Sequence, residues 1–378
     1  MKNPIYLDYN ATTPHAPEVI EAMLPYLTEH FGNPSSSYAY GQEAKQAIAR
    51  AREQVASLIN CAPSEIVFTS GGTESNNIAI QGIAFSKQAK GRHIITSQIE
   101  HPAVLNVCRY LETEHGFSVT YLPVDEFGRV RVIDAEQAIT PQTILITIMH
   151  ANNEVGTIQP IAQIAKLANI HGVIFHTDAA QSVGKIPTLV NDLGADLLSI
   201  AGHKLYAPKG VGALYIRTET SLKKILHGAG QEHGQRAGTE NVLEIVGLGT
   251  ACEIARNTLA TAQQTQQALQ DRLHHGLQME LPNTILNGHP EERLPNTLNI
   301  SFLGIDSSKL LQDILEKLAA SAGSACHSGS TTISPVLQAM RVPLEQAKGA
   351  VRFSVGRMTT EAEIDEAIKT MTIAVRKS

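Results

Sequence analysis

The chain has 378 residues, 43% hydrophobic and 17% charged, with a formal net charge of −6. That balance suits a globular enzyme with chain enough for a large core and two domains. It offers no basic block for nucleic acid and no apolar run of membrane-spanning length, so neither is expected as a partner.

From about residue 40 to 217, helical and strand-like patterns alternate. Gly41–Asn60 places Ala44, Ala47, Ile48, Val55, Leu58 and Ile59 near one helical face. Glu65–Thr69 reads as a strand and Thr73–Gln88 as a helix. Further strands are expected at His93–Thr96, Ser118–Leu122, Thr143–Met149, Val173–Thr177, Leu197–Ile200 and Gly212–Ile216. Right-handed β-α-β crossovers then predict an α/β fold with a mainly parallel, helix-covered sheet. Val242–Glu280 is long and apolar-periodic, with Leu269, Leu273 and Leu277 at helical spacing. The tail mixes strands (Asn296–Phe302, Ala350–Val355) with helices (Ser307–Ala319, Thr360–Arg376), a smaller α+β domain. The expected division is 16–257 for the large domain, and 1–15 with 258–378 for the small one.

Several strand ends carry polar side chains. Ser70-Gly71-Gly72-Thr73 joins a strand to a helix. Its glycines let backbone approach an anion at a helix N-terminus, although a plain turn with a cap reads the same way. His101 follows the next strand, where an imidazole can stack on a planar ring or move protons; it is one of 15 histidines. Asn152 and Asn153 follow another strand, as a turn would also have it. Asp178 ends an apolar strand, and Gln181 reaches the same place if the chain there turns helical. Lys204 follows the adjacent strand in Gly202-His203-Lys204. A carboxylate and an amine at neighbouring strand ends suit pyridoxal 5'-phosphate (PLP): the amine condenses with the aldehyde, and the carboxylate keeps the pyridine nitrogen protonated.

Four cysteines are widely spaced, without zinc spacing. They point to a reducing compartment, and Met1–Asp8 does not read as a secretory signal, so the cytoplasm is expected. No metal is expected. Cys108 and Cys252 fall in apolar helical patterns and read as buried; Cys61, at a helix end, gives no clear signal. Cys326 sits in Ser321–Thr332, a small, polar run that reads as a flexible loop bearing an exposed thiol, either a nucleophile or a tolerated surface group. Arg352 and Arg357, on and after a strand, each offer a guanidinium to a carboxylate; chemistry alone does not separate them.

Taken in order, Tyr6–Pro14, Phe31–Ser36, Thr69–Asn77, Ile99–Leu105, Ala151–Thr157, His176–Gln181, Gly202–Tyr206, Arg236–Thr239 and Gly323–Cys326 resemble a NifS/IscS-type cysteine desulfurase. This is a fold-type I PLP enzyme of the class V aminotransferase group, with a seven-stranded type of sheet. The resemblance implies conversion of L-cysteine to L-alanine, with the sulfur left as a persulfide on Cys326. It implies that Lys204 binds the cofactor covalently, Asp178 pairs with its ring nitrogen, and His101 stacks on the ring and shuttles protons. Gln181 and Asn152 would bond the ring oxygen or substrate. Thr73 and His203 would hold the phosphate, with Thr239 supplied by a second copy in a homodimer. Arg352, helped by Asn152, would take the substrate carboxylate. The sulfur would pass to acceptor proteins such as an iron–sulfur scaffold or a tRNA-thiolation protein.

Two departures stand out. Ala201 occupies the place of a family serine that bonds the phosphate. Cys326 is followed by His327, a form similar to selenocysteine lyases, though the loop length suits the NifS/IscS type. A selenocysteine lyase or another PLP β-lyase is the alternative activity, and a non-catalytic PLP-bearing sulfur-delivery scaffold the alternative class. A nicotinamide enzyme lacks its glycine fingerprint here.

Overall fold

A computed structural model describes residues 4–327 and 330–378, and side chains at 4–323 and 333–378. Strand β1 (Ile5–Tyr6) precedes helices α1 (Pro17–Thr28) and α2 (Ala39–Ile59). Strand β2 (Ile66–Thr69) leads into α3 (Gly72–Lys87), and β3 (His93–Ser97) into α4 (Pro102–His115). Then come β4 (Ser118–Leu122), α5 (Val132–Ala138), β5 (Thr143–Thr147) and α6 (Ile161–Ile170). The alternation closes with β6 (Ile174–Asp178), α7 (Val190–Leu193), β7 (Leu197–Ala201) and β8 (Gly212–Ile216).

A seven-stranded sheet takes the order β2-β8-β7-β6-β5-β3-β4. Its pairs are parallel from β7 to β4, while β8 lies antiparallel between β2 and β7. Strands β2 to β7 therefore end on one edge, where open α/β sheets bind ligands. Alternate side chains fill the two faces. Ile94, Leu145, Leu197 and Leu214 pack with α3 and α4. Ile95, Ile146, Leu198 and Tyr215 pack on the other side, toward α2 and α6. At the edge, Gly212 pairs with both Thr69 and Ala201. A Cβ there would lie 2.5 Å from Ile200 O and 2.7 Å from Gly71 Cα, so only glycine fits.

Helix α8 (Val242–Glu280) runs 39 residues and serves two cores. Ile245 to Ala255 pack with the large sheet. Leu269, Leu273 and Leu277 pack with Leu298, Ile300 and Phe353. Those last residues belong to a second sheet built from β9 (Thr284–Asn287), β10 (Thr297–Phe302) and further strands. After α9 (Ser307–Asp313) come β11 (Leu318–Ala319), β12 (Ser321–Ala322), β13 (Ser324–His327) and β14 (Ser330–Ile333). Helices α10 (Pro335–Ala339) and α11 (Leu344–Lys348), strand β15 (Ala350–Ser354) and α12 (Glu361–Lys377) end the chain. The second sheet has the order β12-β15-β10-β9.

Two expectations are corrected here. The helix expected over Ser307–Ala319 stops at Asp313, because Leu318 and Ala319 pair in parallel with Ile5 and Tyr6. The expected loop at Ser321–Thr332 instead contains a hairpin, with Cys326 opposite Thr331. Its neck closes through Ser334 N to Gly323 O at 3.0 Å.

Candidate active site

A cavity of about 250 Å³ opens at the C-terminal edge of the large sheet. Thr73, His101, Asp178, Gln181, Lys204 and Arg352 all line it. Strand ends separated by long stretches of sequence have delivered an amine, a carboxylate, an imidazole and a guanidinium to one place.

At one end lies the turn from β2 into α3. Gly71 has φ of 145°, a value side chains rarely adopt. Gly72 also faces the cavity; a Cβ on it would sit 3.2 Å from Ala201 Cβ. The free N–H groups of a 16-residue helix thus meet the cavity with almost nothing in front of them, which suits a phosphate. Behind the turn, Thr69 Oγ1 and Ser75 Oγ are 2.8 Å apart, and Glu74 holds the Ser70 N–H and the Arg236 guanidinium.

On the floor, Asp178 accepts from Asn76 Nδ2 at 2.7 Å and from the Ala180 N–H at 2.9 Å. Lys204 donates to the backbone oxygens of Asn10 and Ala11, the latter at 2.7 Å. Burial, with the positive charge of Arg352, lowers its amine to about 8, against the pull of Asp8 and Asp178. His203 reaches Thr12 Oγ1 at 3.2 Å, and burial beside Lys204, Lys209 and His101 pushes it down to about 4. His101 caps α4: its Nδ1 accepts from the Ala103 N–H at 3.1 Å, so the neutral ring carries its proton on Nε2. Burial lowers its pKa, and Lys204 adds to that, while Asp178 opposes it.

Opposite, Arg352 on β15 is fixed by Asp8 Oδ1 at 2.7 Å, Ser321 Oγ at 2.8 Å and Asn153 O at 3.1 Å. Its Nε is buried without a partner among the described residues. Arg357 is bound elsewhere, to Glu18 at 2.7 Å, which separates the two arginines.

The remaining expected residues divide. Gln181 lines the cavity and donates to Asn10 O at 3.0 Å. Asn152 does not reach the cavity, and its expected role is corrected. It is wholly buried: Nδ2 donates to Ile99 O at 3.1 Å, and Oδ1 accepts the N–H groups of Glu154 and Val155. Its neighbour Asn153 lines the cavity in its place. Thr239 is exposed and lines no part of this cavity. Cys326 lies on the hairpin backbone, but its side chain is outside the described ones. Of the other thiols, burial pushes Cys61 and Cys108 up to about 12, and Cys252 still higher.

Two cavity-lining residues and one buried carboxyl behind the cavity wall escaped the sequence reading. Asn76 follows Thr73 by one helical turn, so the spacing alone puts it on the cavity face. Asn10 gathers bonds from Gln181, Lys185 and Lys204 on one side and Asn296 and Thr297 on the other; it lies inside the Tyr6–Pro14 motif, which gave it no role of its own. Glu100 is buried between Ser97 Oγ (2.6 Å) and the Met149 N–H (3.0 Å), and burial raises it to about 8.

The donor set fits PLP. An open anion turn, a doubly bonded carboxylate, an imidazole and a depressed amine surround one cavity, and the buried Nε of Arg352 and Oδ1 of Asn76 lack partners among the described residues. The family model for aminotransferase class-V matches residues 5–367. The cysteine desulfurase IscS of Dictyoglomus turgidum is 48% identical over 378 residues, covering 100% of this chain and 96% of the relative. A solved NifS-like protein superposes with a TM-score of 0.93 at 38% identity, over 99% of this chain and 100% of that one. A second solved structure, SspA in complex with cysteine, gives a TM-score of 0.82 at 41% identity, over 94% of this chain and 99% of that one. Class V aminotransferases and cysteine desulfurases are PLP-dependent. The chain belongs to the aminotransferase class-V family, among relatives named cysteine desulfurase.

Proposed function

We propose that this chain is a PLP-dependent cysteine desulfurase that moves sulfur from L-cysteine to Cys326 and releases L-alanine. The observation that carries the reading is the convergence of Lys204, Asp178 and the Gly71-Gly72 turn on one cavity. The sequence likeness to cysteine desulfurases over the whole chain supports the substrate.

Bound PLP supplies an aldehyde that holds the substrate amine and a ring that draws electrons from its α-carbon. The α3 N-terminus, Thr73 and His203 hold the phosphate end. Asp178, fixed by Asn76 and the Ala180 N–H, would pair with the ring nitrogen and keep it protonated. Arg352 takes the substrate carboxylate through the guanidinium hydrogen that Asp8, Ser321 and Asn153 leave free on Nη1, beside Asn153 rather than the buried Asn152. Lys204 would remove the α-proton; an amine lowered to about 8 has a free-base fraction just above neutrality that an ordinary lysine lacks. His101 carries protons at the mouth through Nε2. The Cys326 thiolate then attacks the substrate sulfur. The Cβ–S bond breaks, an S–S bond forms, the electron pair left on Cβ takes up a proton, and the α-carbon regains the proton that Lys204 removed, giving alanine. A thiolate is needed because the thiol is a poor nucleophile.

The sulfur then passes to acceptor proteins such as an iron–sulfur scaffold. The protein is a cytoplasmic homodimer in this reading, with Thr239 completing the phosphate site of a second copy. Exposed Phe31, Leu27 and Tyr38, at 77%, 64% and 59%, support a covered face. Residues 16–257 form the PLP-binding domain, and 1–15 with 258–378 the smaller one; the two packing centres along α8 support that division.

The test is incubation of the purified protein with L-cysteine and a thiol reductant, measuring sulfide and alanine together. Equal amounts of both are expected. Release of neither by protein loaded with PLP leaves only the sulfur-delivery scaffold.

A further inference from the structure

Lys185 has no role in the chemistry above, yet it lies only 6% exposed beside the cavity floor. Burying an ammonium costs several kcal/mol unless it is well paired. Both hydrogen-bond partners of Lys185 among the described residues are amide oxygens: Gln181 Oε1 at 2.9 Å and Asn10 Oδ1 at 3.2 Å. Burial, with Lys204 and Arg352 nearby, lowers the amine to about 7. A methionine would fill similar space without that cost, so the donor itself requires explanation.

The explanation lies in what the amine does to two amides. As an ammonium it offers hydrogens and accepts none, and as a neutral amine it still has the two hydrogens that these two oxygens take. Gln181 must turn its oxygen toward it, and its nitrogen then points at Asn10 O, 3.0 Å away. Asn10 is sorted in the same way. Its oxygen receives Lys185 and Asn296 Nδ2 (3.0 Å), and its nitrogen donates to Thr297 Oγ1 (2.8 Å) and Asn153 O (3.2 Å). With Oε1 engaged and one N–H used, Gln181, which is among the cavity-lining residues, has one N–H left to offer.

We propose that Lys185 is a positioning residue that locks the Gln181 amide, so that the cavity receives an N–H donor and never a carbonyl at that point. The group it selects is an oxygen acceptor, the ionised ring oxygen of PLP. This rests on the reading that the cavity binds PLP. Without Lys185 only the bond to Asn10 O orients the amide, and its carbonyl faces the ring oxygen for part of the time.

The experiment measures PLP dissociation and the visible absorption of bound PLP in the full-length protein, for wild type, Lys185→Met, Gln181→Ala and the double variant. Lys185→Met is expected to weaken PLP retention by about tenfold, the loss of roughly one hydrogen bond, and to shift the absorption band. The double variant should bind no worse than Gln181→Ala, because a residue acting through another adds nothing once that other is gone. Lys185→Gln, which keeps an N–H donor, should restore most of the affinity. Gln181→Glu, which keeps a partner for Lys185 but offers no hydrogen to the ring, should lose at least as much as Gln181→Ala, and it covers the case in which Lys185→Met does not fold. Wild-type affinity and spectrum in Lys185→Met or in Gln181→Glu overturns the proposal, as does simple additivity in the double variant. Absence of PLP uptake by the wild type overturns the cofactor reading itself, which is a different result.

Discussion

Asp8 Oδ1 accepts a hydrogen bond from Arg352 at 2.7 Å, so the side chain that would take a substrate carboxylate already holds one. Ser321 and Asn153 O occupy further donors of the same guanidinium. Only a fork with five N–H donors serves these three partners and a substrate together. Arg352→Lys is expected to raise the KM for cysteine by at least about tenfold, the equivalent of about 1.4 kcal/mol. Steady-state kinetics with a spectral titration of cysteine binding checks it. An unchanged KM would assign the carboxylate to another residue.

Lys204 predicts two pH dependences. If its free amine is the nucleophile toward the PLP aldehyde, as proposed, the rate of PLP uptake by apoprotein should rise through about pH 8. An inflection near pH 10, where an unperturbed lysine titrates at about 10.4, would reject the buried-amine description. The second dependence concerns apoprotein stability. Above the unfolded pKa the amine is neutral in both states and its contribution is complete. As pH falls, the unfolded chain gains its proton first, and stability is lost as pH falls through about 8, levelling below it. Urea midpoints of the apoprotein between pH 7 and 10 should therefore increase with pH in wild type and less steeply in Lys204→Met.

Ala201 stands against the anion turn, its Cβ 3.2 Å from where a side chain on Gly72 would begin. Ala201→Ser places a hydroxyl there and is expected to slow PLP release by up to about tenfold, roughly one added hydrogen bond. Competition against a PLP scavenger measures the release rate. Unchanged or faster release would mean that another donor already satisfies the phosphate.

The four thiols should separate cleanly. Cys326→Ala is expected to keep the PLP spectrum and the cysteine-induced spectral change, with a thermal midpoint within the small range usual for surface sites. It should lose persulfide formation and nearly all alanine release. Cys61→Ala, Cys108→Ala and Cys252→Ala should retain activity, since burial keeps all three protonated at neutral pH. The two fully buried ones should lose stability through the cavity left behind. Alanine release by Cys326→Ala at the wild-type rate would replace the desulfurase with a β-lyase.

The large sheet was legible because each strand is a short apolar run ended by a polar or glycine residue, and each helix keeps its period. Val242–Glu280 was bounded correctly from periodicity alone. What failed depended on distant chain. Nothing within Ser307–Ala319 announces that Leu318 will pair with Ile5. The hairpin around Cys326 has too few large side chains to declare its strands. Asn152 and Asn153 have the same chemistry, and only the backbone turn decides which one faces in. The resemblance supplied motifs, but the hydrogen-bonded web of Asn10, Asn76 and Lys185 had to be read from the folded chain.

Gly212 gives the site its width. It lies on the single strand between the anion turn and the turn that carries Lys204, hydrogen-bonded to both neighbours. The gap between the proposed grip on the phosphate and the Lys204 amine is thus two strand spacings, with one strand between, held at its mouth by a residue whose side chain is a hydrogen atom. Any larger group at 212 acts as a wedge, spreading the two turns like jaws. A ligand of fixed length would then reach one or the other but not both. The reach of the site is in this sense measured by a residue that touches no ligand.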